Sequence, residues 1–417
     1  VGAAVRRGGA VTGVAPELEV PQGRFRLDRP PLERDPTLRA WDAADEYVLH
    51  DLAGWGGGLG RVTVVGDGMG ALAVALASAG AGRVGSPIHA IGDSWIGHRT
   101  TAENLARNGL AATVPWEAPG TAPVHLVAST DAPPPIVDTL VVRVPRSLAA
   151  LEDQLARLRP SLHAASRVVT ASMTRHLHTS TLQVLERSIG PTRTSPARRK
   201  ARLAWSSVDE AAARPASRWP RRREVALPSL PRPLALVDHP AVFAAGRVDA
   251  GTALLLGQLP RWAGRLGAGT TLVDAGCGDG VLALAAAVAR PETTVVAVDE
   301  SYQAVASTSA GAIANGGLDV QVVLGDGLLA PARGSPLGAG SVDVVVTNPP
   351  FHAGHAVSDA TAWRLFVEAR RVLRPGGELW AVGNRHLAHH AKLSRLFGGC
   401  EVAASDPAFV VLRARRR

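Results

Sequence analysis

The sequence predicts the α/β class: two copies of one doubly wound, mostly parallel-sheet fold joined in tandem. Three observations carry this. Buried-strand runs alternate with apolar helical stretches along most of the chain, the pattern of parallel strands covered on both faces. A strand, a glycine-rich turn and a helix occur twice, as Thr63-Val-Val-Gly-Asp-Gly-Met-Gly70 and Thr271-Leu-Val-Asp-Ala-Gly-Cys-Gly-Asp-Gly280. The likeness then continues in register: Asn315-Gly316 answers Asn108-Gly109, Asn384-Arg-His-Leu387 answers Thr174-Arg-His-Leu177, and Phe397-Gly-Gly-Cys400 answers Ser188-Ile-Gly-Pro191.

Taken in order, residues 1–21 lack a clear period and are expected to be a disordered extension. The first copy is expected over 22–210. Trp41, Ala44, Val48 and Leu52 fall at helical spacing, with aspartates early where the helix dipole favours negative charge. A strand over 61–65 runs through the glycine turn into a helix over 71–79. Strands over 88–91, 139–144 and 167–171 then alternate with helices around 104–108, over 148–158 and over 181–189. Residues 211–230, rich in Ala, Pro and Arg, are expected to be a basic linker. The second copy, 231–417, repeats the series with strands over 271–275, 294–298, 320–324 and 342–347.

At 417 residues the chain is long enough for two such domains, and 46% hydrophobic content with 19% charge is globular in kind. A formal charge of +9 points to an anionic partner. All but two of the 45 basic residues, Lys200 and Lys392, are arginine. Two cysteines, Cys277 and Cys400, are too few for a disulfide framework, which fits a reducing cytoplasm. No apolar run reaches the ~18 residues that span a bilayer.

The copies differ where chemistry would be done. In the second, strand one ends at Asp274, and Gly276, Gly278 and Gly280 let a ligand approach the backbone. Asp299 follows strand two at the distance where an acid accepts from a ribose diol, and Asp326 follows strand three, where a carboxylate can receive an adenine amino group. Asn348-Pro349-Pro350-Phe351 follows strand four. An Asn-Pro pair there is also a common turn former, Asp299 is also a plausible helix cap, and Asp326-Gly327 is also a common turn pair. In the first copy Val64 stands for Asp274, and Arg143-Val-Pro-Arg146 for the Asn-Pro-Pro-Phe loop. The spacing of the three glycines lacks the two-residue gap of a dinucleotide fingerprint.

An acid before the glycines, an acid after strand two and Asn-Pro-Pro-Phe after strand four resemble the class I S-adenosylmethionine-dependent methyltransferases that modify exocyclic or amide nitrogens. With His239-Pro-Ala-Val-Phe243, Asp249-Ala-Gly251, Asn384-Arg-His-Leu387 and the tandem inert copy, the chain looks like the bacterial ribosomal RNA guanine-N2 methyltransferases. Residues 38–47, Ile91-Gly-Asp-Ser94 and Phe409-Val-Val-Leu-Arg413 are closer to the large-subunit enzyme. The similarity spans about residues 36 to 417; Ala241 and Ala244 depart from it, standing where polar residues are more usual.

The resemblance implies two Rossmann-like class I methyltransferase folds, the N-terminal one degenerate. It implies S-adenosylmethionine held by Asp274, Gly276, Gly278, Gly280, Asp299 and Asp326. Asn348 and the Pro349 carbonyl would accept the two hydrogens of the target amine, Pro349 and Pro350 would hold that turn, and Phe351 would stack on a flipped base. His352 is open between a proton acceptor and a structural hydrogen bond. The partner implied is large-subunit ribosomal RNA, met by a monomer without metal or membrane. Arg193, Arg198, Arg199, Lys200 and Arg202 form a plausible phosphate footprint on the first copy, the other reading being that this copy only stabilises its twin. A small-subunit RNA guanine, a protein glutamine amide, a DNA adenine and a non-catalytic RNA-binding role are the alternatives.

Overall fold

The computed structural model describes residues 17–29, 38–81, 86–118, 120–211, 216–329, 337–349 and 355–417. The first copy opens with a hairpin of β1 (Glu17–Val20) and β2 (Gly23–Arg26), followed by α1 (Ala43–Ala53). There follow β3 (Val62–Val65), α2 (Ala71–Ser78), β4 (Ile88–Gly92), α3 (Trp95–Arg107), β5 (Ala112–Thr113), β6 (Val124–Ala128), β7 (Val137–Arg143), α4 (Leu148–Leu158), β8 (Leu162–Met173), α5 (Thr179–Ser188), β9 (Thr192–Thr194) and β10 (Ala201–Ser207).

The second copy opens the same way, with a hairpin of β11 (Arg221–Val225) and β12 (Leu234–Asp238). It continues through α6 (Ala250–Leu256), α7 (Leu259–Ala263), β13 (Thr271–Ala275), α8 (Val281–Ala289), β14 (Thr294–Asp299), α9 (Tyr302–Ala314), β15 (Val320–Leu324), β16 (Val342–Thr347), α10 (His355–Val372), β17 (Leu373–Asn384), α11 (His389–Phe397), β18 (Glu401–Ser405) and β19 (Phe409–Arg415).

The sheets run β5-β6-β4-β3-β7-β8-β10-β9 and β15-β14-β13-β16-β17-β19-β18. Apart from the extra edge strand β5, the two orders are the same. In each, the first strands pair in parallel, and the last two, β10 and β9 or β19 and β18, join antiparallel. The chain order reverses beside β3 and β13, so each carboxyl edge opens a crevice at the strand end next to the glycine turn. Strands β3 and β13 are buried along nearly their whole length, and α2 and α8 are buried on almost every face, which accounts for their continuous apolar sequence.

Two expectations need correction. Residues 17–21 do not belong to a disordered extension: Leu18, Val20, Phe25 and Leu27 alternate inward from the hairpin onto the first core. Residues 1–16 lie outside the described ones. The basic linker is likewise shorter than 211–230, because residues 221–225 form β11. Arg223 there turns inward to pair with Asp238 at 2.7 Å and Asp279 at 2.5 Å. The two hairpins are one repeated element. In each copy an asparagine at the end of the second crevice helix bonds the backbone of the hairpin's second strand, Asn108 to Arg26 and Asn315 to Ala235.

Candidate active site

At the carboxyl edge of the second sheet lies a cleft of 610 Å³, lined by the glycine turn, Asp299, Asp326, Asn348 and Pro349, with Phe243 and Phe409 at its sides. Gly276, Gly278 and Gly280 all adopt left-handed φ, at 75°, 57° and 80°. A Cβ on Gly276 would meet nothing, so that position faces open space, whereas one on Gly280 would come within 2.8 Å of Thr308. The first glycine is thus needed for backbone shape, the last also for helix packing.

Asp299 accepts the Gly278 amide on Oδ2 and the Ser301 amide on Oδ1, both at 3.0 Å, and each oxygen keeps a lone pair for a further donor. Burial raises its pKa. Asp274 is placed differently from the expectation: it is fully buried beneath the turn, outside the cleft lining, and its Oδ2 accepts the Ala283 amide of α8 at 3.0 Å. Its Oδ1 has no hydrogen-bond partner among the described residues, and burial pushes its pKa up to about 8. Asp326 lines the cleft but is forked by Arg364, with Nη1 at 2.7 Å from Oδ2 and Nη2 on Oδ1. Cys277 is buried against Thr308 with its thiol pKa pushed up, in keeping with a packing role.

Asn348 directly follows β16, whose end is tied to β13 by the Thr347 hydroxyl on the Ala275 carbonyl at 2.7 Å. Its amide nitrogen donates to Thr252 Oγ1 at 2.8 Å and Asp249 Oδ2 at 3.2 Å. A carboxylate only accepts, so the NH₂ must face Asp249, leaving the amide oxygen for a donor in the cleft. Asp249 itself caps α6, accepting the Gly251 and Thr252 amides. Asp249-Ala-Gly251 enters the sequence reading only through the resemblance; the bond from Asn348, 99 residues away, and the neighbouring Thr252 are seen only in the fold. Pro350, Phe351 and His352 lie outside the described residues.

The same slots in the first copy are filled. Arg143 stands where Asn348 does, and it pairs with Asp42 at 2.8 Å and Asp45 at 2.9 Å, the counterparts of Asp249 and Thr252. Asp67, in the glycine turn, folds back so that Oδ2 accepts the Ala73 amide at 2.7 Å, the bond that Asp274 makes in the second copy. Gly68, unlike Gly278, has no left-handed φ. A buried ion pair and a self-capping acid therefore occupy the first copy's crevice. Its Arg146 and Ile96 instead line the cleft of the second copy. Of the basic cluster, Arg193 stacks on Trp205, Arg198 on Tyr47, and Arg199 pairs with Glu46 at 2.7 Å.

Comparison with known proteins agrees with this division. Residues 15–210 match the RLMG N-terminal domain model and 233–413 the methyltransferase small domain model. A ribosomal RNA large subunit methyltransferase G of Streptomyces griseus is 48% identical over 408 residues, covering 95% of this chain and 98% of the relative. The chain belongs to the ribosomal RNA large subunit methyltransferase G family. A family member of Pseudomonas paraeruginosa is 41% identical, with 96% and 99% of the two chains covered. Among solved structures, a T. thermophilus 16S rRNA N2 G1207 methyltransferase, determined with AdoMet and guanosine, superposes with a TM-score of 0.71 at 23% identity. It covers 96% of this chain and 98% of that one, and shares the tandem fold.

The protein is accordingly a methyltransferase, and S-adenosylmethionine is its cofactor. The residues present fit that group: the Gly276 cradle is open, and Asp299 offers spare acceptors at the end of the second strand. Among the described residues no helix is long and apolar enough to cross a membrane, and no group of three or more His, Cys, Asp or Glu could hold a metal ion.

Proposed function

We propose that the protein transfers a methyl group from S-adenosylmethionine to the exocyclic N2 of one guanine in large-subunit ribosomal RNA, as a cytoplasmic monomer. The relatives' names support the RNA, and the observation that carries the chemistry is the orientation of Asn348. Its Nδ2 is committed to Asp249 and Thr252, so Oδ1 presents an acceptor at the cleft. An amine whose lone pair is delocalised into a ring is a poor nucleophile, and an oxygen accepting one of its hydrogens turns that lone pair towards the acceptor carbon.

When bound, S-adenosylmethionine supplies a methyl already activated by its sulfonium, so the chain's task is alignment. Ordered approach can contribute roughly 7 to 11 kcal/mol. Asn348 and the Pro349 carbonyl accept the amine hydrogens, Pro350 stiffens the turn, and Phe351 stacks on the base, a contact worth about 1 to 3 kcal/mol. Asp299 takes the ribose hydroxyls and Asp326 the adenine amino group, with the Gly276 to Gly280 turn against the rest and Asp274 holding α8 beneath it. The first copy binds RNA beside the cleft, where Arg146 is exposed on the lining.

The test is calorimetry with S-adenosylmethionine followed by labelled methyl transfer to ribosomal RNA lacking the modification, with N2-methylguanine mapped in the product. Cofactor binding and one labelled guanine are expected. Transfer to glutamine peptides and never to RNA would favour the amide substrate, and no cofactor binding would remove the enzyme reading.

A further inference from the structure

The two copies meet through the turns that follow their second strands. The chain segments 93–95 and 300–302 lie antiparallel, with Ser94 bridged to Ser301. The Trp95 amide donates to the Glu300 carbonyl at 2.8 Å, and the Tyr302 amide to the Asp93 carbonyl at 3.0 Å. The side chains repeat this exchange. Ser94 Oγ donates to Glu300 Oε2 and Ser301 Oγ to Asp93 Oδ2, both at 2.6 Å. Strand register makes Asp93 the counterpart of Glu300 and Ser94 that of Ser301, so the contact is a pseudo-twofold one, each copy's helix-capping serine held by the other's acid. Trp95, Tyr302 and Ala128 bury the contact.

This symmetry is broken one residue upstream. The first copy has Gly92 where the second has Asp299, so its acid Asp93 has no cofactor-site acid beside it and is held by Ser129 of its own copy and by the start of α9 across the interface. Asp93 is half-buried and satisfied on both oxygens: Oδ1 accepts from Ser129 Oγ at 2.6 Å and the Gln303 backbone amide at 3.0 Å, Oδ2 from Ser301. The Ser301 amide in turn donates to Asp299 Oδ1. Two of the three donors on Asp93 thus belong to the start of α9, Ser301 as its cap and Gln303 in its first turn, and Ser301 also holds the acid in the cleft through its backbone amide.

We propose that Asp93, on the copy without an open cleft, is a positioning residue for cofactor binding: it fixes Ser301, whose amide fixes the Asp299 carboxylate towards the ribose. The relay rests on the reading of Asp299 as the ribose acid. It gives the inert copy a definite task in the second copy's chemistry, distinct from contact with RNA. Because Asp93 lies outside the cleft lining, and Ser301, which lines it, bonds Asp299 while Asn348 bonds Asp249 and Thr252, the relay acts on affinity for the cofactor and not on the methyl-transfer step.

The test measures the S-adenosylmethionine dissociation constant and kcat at saturating cofactor for Asp93→Asn, Ser301→Ala and the double variant in the full chain. Each single variant is expected to weaken the cofactor about tenfold, the scale of one hydrogen bond to a charged group, with kcat within about twofold of the parent. The double variant should be no weaker than the worse single one, since both cut the same relay. Wild-type affinity in a folded Asp93→Asn protein, additive losses, or a fall in kcat at unchanged affinity would each overturn the relay. If Asp93→Asn does not fold, Ser301→Ala decides alone, by weakened or unchanged affinity. Asp299→Ala separates the two readings: undiminished affinity there removes the ribose role itself, whereas a loss there with Asp93→Asn unaffected removes only the relay.

Discussion

Asn348 donates its amide to Asp249, so a residue that caps a helix at the start of the second copy decides which face the strand-four asparagine turns to the substrate. Asn348→Ala is expected to abolish turnover while S-adenosylmethionine affinity survives. Asp249→Asn keeps the size of the cap but no longer compels the NH₂ to face it. A loss of about 10² in kcat at unchanged cofactor affinity is expected, on the scale of a misplaced positioning group. Single-turnover kinetics with saturating cofactor would check both, and an Asp249→Asn enzyme as fast as the parent would show that Asn348 is oriented by something else.

The filled crevice of the first copy makes a stability prediction. Arg143 is the ion partner of both Asp42 and Asp45, and Asp45 is buried. Arg143→Ala leaves two acids without their cation and should cost about 2 to 4 kcal/mol in denaturant unfolding. Burial already pushes the Asp45 pKa up to about 7 despite Arg143, so the orphaned acid can escape by protonation. The cost should therefore be smaller below about pH 6 than above about pH 8. Removing Asp45 as well should recover part of it.

Stability should fall as pH rises through neutrality. Burial raises Asp45 and Glu300 to about 7, Asp274 to about 8 and Asp279 to about 6. These groups stay protonated in the fold where the unfolded chain has already ionised them. Unfolding then releases protons, and stability is lost as pH climbs towards the folded pKa values. His98, held at about 4 by burial, and His89, His125, His176 and His239, also lowered by burial, work the other way, and their effect fades above their unfolded value of 6.5. Between about pH 7 and about pH 8 the acids dominate, and the ligand-free melting temperature should drop by a few degrees. A flat or rising profile in scanning calorimetry would contradict this.

The duplicated glycines allow a paired experiment. Gly70 and Gly280 share a left-handed φ, 86° and 80°, and a Cβ on either would come within 2.8 Å of a threonine, Thr101 or Thr308. Alanine at either position should cost about 1 to 3 kcal/mol of stability. Only Gly280→Ala should also weaken S-adenosylmethionine. Equal cofactor affinity in the two variants would mean that the second turn does not carry the ligand.

What was legible in the sequence was local. The strand, glycine turn and helix of each copy, and the Asn-Pro-Pro-Phe stretch at a strand end, announce themselves because the constraint and the residues that meet it are neighbours in the chain. The hairpin strands 17–20 and 221–225 were not legible. Each is short, and β11 is rich in exposed arginine, so composition read as tail and linker while the alternation of four or five residues carried the structure. The contacts of Asp249 and Asp93 were not legible either, since their partners Asn348 and Ser301 lie 99 and 208 positions away. The basic cluster near residue 200 looked free because its rings and acids, Tyr47, Glu46 and Trp205, are supplied by other elements.

The exchange of serines and acids between residues 93–95 and 300–302 is the contact a homodimer would make across a true twofold axis, here made once within a single chain. Tethering turns that encounter into an intramolecular one, so the pairing does not weaken on dilution and requires no second molecule. Identical partners must each preserve every residue the other needs. Two halves written separately need not: one can fill its own crevice with Arg143 and Asp67 and still offer its neighbour an intact face. The asymmetry of the protein is thus a freedom conferred by covalent connection, in which the half with the filled crevice still serves the other as a partner.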